Sequence, residues 1–164
     1  MATTRKSSPE LANLKIAAKE LQGHQVKVGY LEAAHYPARG KTPALPVAYI
    51  AAIQELGYPE GGIPPRSYMR STIAERSGEW GELMASGARA IVKGNATAGQ
   101  VLKALGQTVA GDMQRTLADL QEPPLKRATL KARRNRKEQP NSSTKPLVDR
   151  YQQLKNINSV VEKT

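Results

Sequence analysis

The chain has 164 residues with a formal net charge of +11, no cysteine, two histidines, one tryptophan and no phenylalanine. That length suits one ordinary domain with extended ends. The lack of cysteine excludes disulfides, thiolate metal sites and cysteine nucleophiles, and His24 and His35 are too few for a histidine-rich metal centre.

The polar start Met1–Lys6 carries no secretion signal, and no apolar run approaches the roughly 18 residues that cross a bilayer, so no membrane partner and synthesis in a cytoplasm are expected. In chain order, Ser8 reads as an N-cap with Pro9 at the first helical position. Leu11, Leu14, Ala18 and Leu21 follow at helical spacing, and Gly23 ends the helix. Gln25 to Leu31 alternates, with Val26, Val28 and Tyr30 on one face, and predicts a strand. Residues 32–46, with Pro37, Gly40, Pro43 and Pro46, predict a loop or hairpin excursion.

Val47, Ile50, Ala51, Ile53 and Leu56 predict a second helix that stops at Gly57, and the Pro/Gly-rich run 58–66 excludes regular structure. Pro64-Pro65 predicts a stiff, extended connection. A third helix is expected to start at Ser71-Thr72, where a hydroxyl cap precedes Glu75, and to run through Trp80, Leu83 and Met84 to Val92 with Gly78, Gly81 and Gly87 as weak points. Thr97 opens a fourth, in which Val101, Leu102, Leu105, Val109, Met113, Leu117 and Leu120 give the strongest periodic signal in the chain.

Pro123-Pro124 stops that helix. A short basic helix is expected over 125–136, a flexible loop over 139–144, and a last strand over 156–162 that pairs with the first. The fold class is α+β: a small antiparallel sheet packed with about four helices and an extended basic C-terminal region. The division expected is an N-terminal helix over 1–24, an α+β core with two long helices over 25–122, and a basic arm with the final strand over 123–164.

Residues 123–164 hold 11 of the 25 Lys and Arg but only three of the 14 Asp and Glu. Lys126, Arg127, Lys131, Arg133, Arg134, Arg136 and Lys137 form the peak. Such a cluster binds nucleic acid through phosphate contacts, docks on an acidic protein, or simply faces water. No aromatic residue interrupts it, so base stacking is not supported there.

Enzyme signals are weak. The sequence contains no phosphate-binding glycine loop, no His-Glu-x-x-His and no Gly-x-Ser-x-Gly elbow. Glu79 and Glu82 read as solvated charges, Asp112 and Asp119 lack further ligands, and His24 fits the C-terminus of the first helix. No catalytic residue, cofactor or metal is expected, and Trp80 reads as a core or interface anchor.

Pro46 to Gly57, followed by Ile63-Pro-Pro-Arg-Ser-Tyr-Met-Arg70, resembles a signature of the neck and tail-completion proteins of tailed bacteriophages, the minor tail protein Z and virion morphogenesis group. In that pattern a helix reading A-x-x-x-E-x-G, here Ala51, Glu55 and Gly57, precedes I-P-x-R-P-F-[ML]-R. Ile63, Pro64, Pro65, Arg66, Tyr68, Met69 and Arg70 match the second part, with Ser67 in place of proline. Further on, within Pro124 to Lys131, Leu125 and Thr129 match a second stretch, and Pro146, Leu147 and Asp149 match a third, where Arg150-Tyr151 replaces Thr-Gly.

The resemblance spans roughly 26–162. It implies a non-catalytic virion protein of the head–tail junction that forms a homo-oligomeric ring, six-fold in related tail rings. Its implied partners are the connector, head-completion and tail proteins, with DNA in the channel. On this reading Pro64 and Pro65 direct Arg66, Tyr68, Met69 and Arg70 outward as a docking element, with Ile63 and Trp80 as further interface residues.

Overall fold

The computed structural model describes residues 9–30, 33–38, 40 and 43–164. The expected Ser8 cap and the Leu31 end of the first predicted strand lie outside them. The elements in order are α1 (Pro9–Gln22), β1 (His24–Tyr30), β2 (His35–Tyr36), β3 (Leu45–Pro46), α2 (Val47–Leu56), a 3-10 turn (Pro59–Gly61), α3 (Tyr68–Val92), α4 (Ala98–Asp119), α5 (Arg127–Asn135), α6 (Gln152–Asn156) and β4 (Ile157–Lys163). Helix and sheet are mixed, so the α+β class holds.

The first and last strands pair, as expected from the sequence. The Thr164 amide donates to the Gly23 carbonyl at 3.1 Å, which sets the end of β4 beside the start of β1 in the antiparallel sense. The proline-rich excursion closes as a second, two-residue ladder, with His35 opposite Pro46 and Tyr36 opposite Leu45.

The chain groups into two compact units, each assembled from separate stretches: 1–28, 77–109 and 159–164 in one, 29–76 and 110–158 in the other. In the first unit Ala17, Ile91 and Ala98 are buried, with Leu21, Val92, Ala96 and Val101 packed around them. Helix α4 opens with a capping box. The Gln100 amide donates to Thr97 Oγ1 at 3.3 Å, while the Thr97 amide donates to Gln100 Oε1 at 2.9 Å. The sheet lies against this helix so closely that a Cβ on Gly106 would come within 2.7 Å of Val26 Cγ2. Any side chain there would push strand and helix apart.

In the second unit the buried apolar residues are Val47 and Ala51 of α2, Tyr68 of α3, Ala110, Met113 and Leu117 of α4, and Leu147, Val148 and Ile157 of the C-terminal region. The α4 stripe read from the sequence is the buried one: Leu102, Val109, Met113 and Leu117 are all inside.

One boundary moves. Helix α3 begins at Tyr68 rather than at Ser71, and its glycines do not interrupt it. The Ser71 hydroxyl, expected as a cap, donates back to the Ser67 carbonyl instead. The true cap comes from a different helix, as follows.

Candidate docking site around Ile63 to Arg70

Helix α2 ends at Gly57, whose φ of 81° favours glycine over any other residue. A Cβ there would stand 2.8 Å from the Pro65 nitrogen, so the turn also needs a bare backbone. Beyond it, Tyr58 and Ile63 exchange two main-chain hydrogen bonds, of 2.8 and 2.9 Å, around the 3-10 turn. This hairpin folds the Pro64-Pro65 segment back along the end of α2. The Arg66 amide then donates to the Gln54 carbonyl at 2.7 Å.

From that point the side chains alternate sides, as they must in an extended segment. Pro65 is exposed, Arg66 is only 5% exposed, Ser67 is half-buried, and Tyr68 is wholly buried. The expectation that Arg66 and Tyr68 point outward is therefore corrected. The prolines do stiffen the segment, but stiffness fixes an alternation in which two of the four residues must face inward. Ile63, Pro64 and Met69 are half-buried, and Arg70 is exposed. Trp80 is half-buried and belongs to the other unit.

Arg66 fastens two distant parts of the chain. Its Nε donates to the Pro123 carbonyl at 2.9 Å, Nη2 to the Pro124 carbonyl at 3.3 Å, and Nη1 to Gln54 Oε1 at 3.4 Å. Burial, and secondarily the charge of Arg133, draw its pKa below the usual guanidinium value. It stays charged at any ordinary pH.

Glu55 is the hub. It is buried, and its two carboxylate oxygens accept the main-chain amides of Met69 and Arg70, each at 3.0 Å. These amides are two of the donors that a helix start leaves unpaired, and the site favours negative charge. Arg70 Nε closes on the same carboxylate at 3.1 Å, and its Nη2 reaches the Glu55 carbonyl at 2.9 Å and Ser67 Oγ at 2.6 Å.

Tyr68 joins its hydroxyl to that of Tyr30 at 2.5 Å. Burial raises the pKa of both, and the nearby Glu55 charge adds to it.

The C-terminal basic cluster divides by burial. Arg127, Lys131 and Arg134 are exposed along one face of α5, with Lys126 and Lys137 exposed at its ends. Arg133 is buried. Its Nη1 and Nη2 donate to the Lys145 and Pro146 carbonyls at 2.9 and 2.6 Å. Arg136 grips Asp149 with two bonds of 2.8 and 2.7 Å and also donates to the Gln139 carbonyl. Asn141 Nδ2 donates to the Val148 and Asp149 carbonyls at 3.1 and 2.9 Å.

Arg133 and Arg136 are thus corrected from free partner contacts to internal fasteners. Spacing from Leu130, the one large apolar residue of α5, does not single out Arg133, because Arg127 and Arg134, which stay exposed, also stand three and four residues from it. Glu55 and Asp149 were matched as pattern residues without a structural role.

Burial works to raise the Asp149 pKa, but the Arg136 hydrogen bonds, the Arg133 and Arg136 charges and the Asn141 bond outweigh it. The carboxyl ends below its ordinary value.

Close to the hub, several large apolar side chains stay uncovered. Tyr49 and Leu56 on α2, Tyr58 after it, and Ile73 in α3 are 56%, 64%, 45% and 47% exposed. Among the described residues no cluster of three or more His, Cys, Asp or Glu is placed to hold a metal ion, and no helix is long and apolar enough to cross a membrane. No family model, curated protein or solved structure matches the chain.

Proposed function

We propose that this chain is a structural, non-catalytic virion protein of a tailed phage, acting in the neck or tail-completion layer as one copy in a closed ring. The supporting observation is that the stretches of the resemblance are bonded to one another, in part through Pro123, Pro124 and Arg133, which lie beside the matched positions. Glu55 bonds Met69 and Arg70, Arg66 bonds Pro123 and Pro124, and Arg133 bonds Pro146 and approaches Asp149. Three stretches separated by up to roughly a hundred residues along the chain share one bonded framework, which is a physical reason for them to occur together.

On this reading the motif builds the docking surface rather than being it. Contact with the next copy falls to the exposed Pro65 and to Leu56, Tyr58 and Ile73, whose apolar area is the kind that heterologous ring contacts cover. Connector, head-completion and tail proteins are the partners. Electron microscopy of a phage whose copy of this gene is interrupted tests the proposal. Separate heads and tails are expected, and normally joined particles would overturn it.

A second reading, contact with DNA, is favoured by the Arg127, Lys131 and Arg134 face. With the five exposed cations of the cluster, affinity for duplex DNA should fall steeply with salt, with a log–log slope no steeper than about −4.5. It is compatible with a ring around a DNA channel, and negligible binding at low salt would remove it.

A further inference from the structure

The outer face of α5 is left without a partner. Arg127, Lys131 and Arg134 recur at i, i+4 and i+7, which gathers them on one stripe of the helix about 10 Å long. All three are exposed, and among the described residues none forms an ion pair, unlike Arg133 and Arg136. The helix itself has no acidic residue to offset them.

The same unit holds a cleft of the opposite sign, about 610 Å³ in volume, between α3 and α4. Four acids line it, Glu75, Asp112, Asp119 and Glu122, against two cations, Arg76 and Arg115. In a chain of net charge +11, a concavity with a surplus of acid runs against the average. Asp112 is buried and bonded to Arg115 at 3.1 Å, so its charge is committed. The other three are open. Glu75 and Glu122 are exposed and form no ion pair among the described residues, and the Asp119 side chain, 77% exposed, holds Lys145 at 3.3 Å.

We propose that the α5 face of one copy docks in the α3–α4 cleft of a second copy. Arg127, Lys131 and Arg134 then meet Glu75, Asp119 and Glu122, and the two guanidinium forks can each receive both oxygens of a carboxylate. The argument is charge complementarity. DNA would satisfy the cations but leave the acidic cleft empty, whereas a second copy answers both surfaces with one contact. Ile73, which the ring reading sets against a neighbour, stands three residues from Arg76 on the cleft, so the charged contact adjoins the apolar one. The inference rests on the reading that copies of this chain meet one another.

Exchange of charge tests it. Sedimentation of the full chain at about 0.1 mM should show self-association that weakens as salt rises. Lys131→Glu with Arg134→Glu, and separately Glu75→Lys with Glu122→Lys, should each weaken it at least about tenfold by bringing like charges together. The α5 variant lowers the net positive charge, which alone would ease the approach of two copies, so a weakening there is specific to the contact. The two variants mixed in equal amounts should associate again, since each offers the sign that the other now lacks. A misfolded chain cannot produce that recovery.

Lys103→Glu, on an exposed position of α4 outside the cleft, should leave association unchanged. A wild-type chain that stays monomeric, association indifferent to both reversals, or a mixture that fails to recover would each overturn the proposal. Loss of duplex-DNA binding in the α5 variant with association intact would give these cations to DNA and overturn it as well. Association that ignores the exchange removes this contact but not the ring, which the micrographs of the interrupted phage test separately.

Discussion

The Glu55 carboxylate accepts both the main-chain amide and the guanidinium Nε of Arg70, at 3.0 and 3.1 Å, so one acid on α2 starts the helix that follows it. The two residues bind the end of one helix to the beginning of the next, and the proline-rich turn between them is held at both ends.

Replacing Glu55 tests that junction. Glu55→Ala leaves two amides and a guanidinium without their acceptor and should cost about 2 to 3 kcal/mol in denaturant unfolding. Glu55→Gln keeps one acceptor and should cost less, whereas Arg70→Ala, which leaves the amide bonds in place, should cost about 1 kcal/mol. An unchanged midpoint for Glu55→Ala would contradict the capping role.

The hydroxyl pair of Tyr30 and Tyr68 makes a prediction at high pH. Burial raises both pKa values, so the folded chain holds these protons after the unfolded chain has lost them. The associated stability is intact below about pH 10 and declines as the pH rises above it. Absorbance titration should show Tyr30 and Tyr68 ionising only as the chain unfolds at high pH. In a mutant cycle Tyr68→Phe should cost about 1 to 2 kcal/mol, and adding Tyr30→Phe should cost less than the sum of the two singles.

Asp149 makes the complementary prediction in acid. Its pKa is depressed in the fold from the ordinary 3.8, so it stabilises the fold above that value and ceases to do so as the pH falls through its folded pKa. The native chain should lose stability below about pH 4, and Asp149→Asn should flatten that part of the profile. An identical acid limb in both proteins would show that the Arg136 pairing contributes nothing.

How much was legible depends on the range of each interaction. The long stripe of α4 declared itself because seven apolar residues repeat at helical spacing, and β1 because its residues alternate. The start of α3 was misplaced by three residues because its cap belongs to Glu55, 13 positions before the first helical residue. A local reading finds only the Ser71 hydroxyl, which the structure uses otherwise.

Arg66 misled for a related reason. A charged residue after two prolines looks exposed, and only the hairpin at Tyr58 and Ile63 turns it towards the Pro123 and Pro124 carbonyls. The basic cluster likewise looks uniform in composition, although the helix phase separates Arg133 from Arg134.

That separation gives a paired prediction. Replacing Arg127, Lys131 and Arg134 together with Gln should change stability by less than about 0.5 kcal/mol per site, while weakening any salt-sensitive contact with DNA or an acidic partner. Arg133→Gln removes a buried cation from two carbonyls and should cost about 2 to 3 kcal/mol. Equal losses in the two proteins would erase the distinction between outward and inward cations.

A cryo-EM map of the intact particle is the most direct measurement of the proposed role. It should show copies of this chain closed in a ring at the head–tail junction, with Glu55 still capping α3 and with Leu56 and Tyr58 covered by the neighbouring copy. Complete, infectious particles that lack the chain would contradict it.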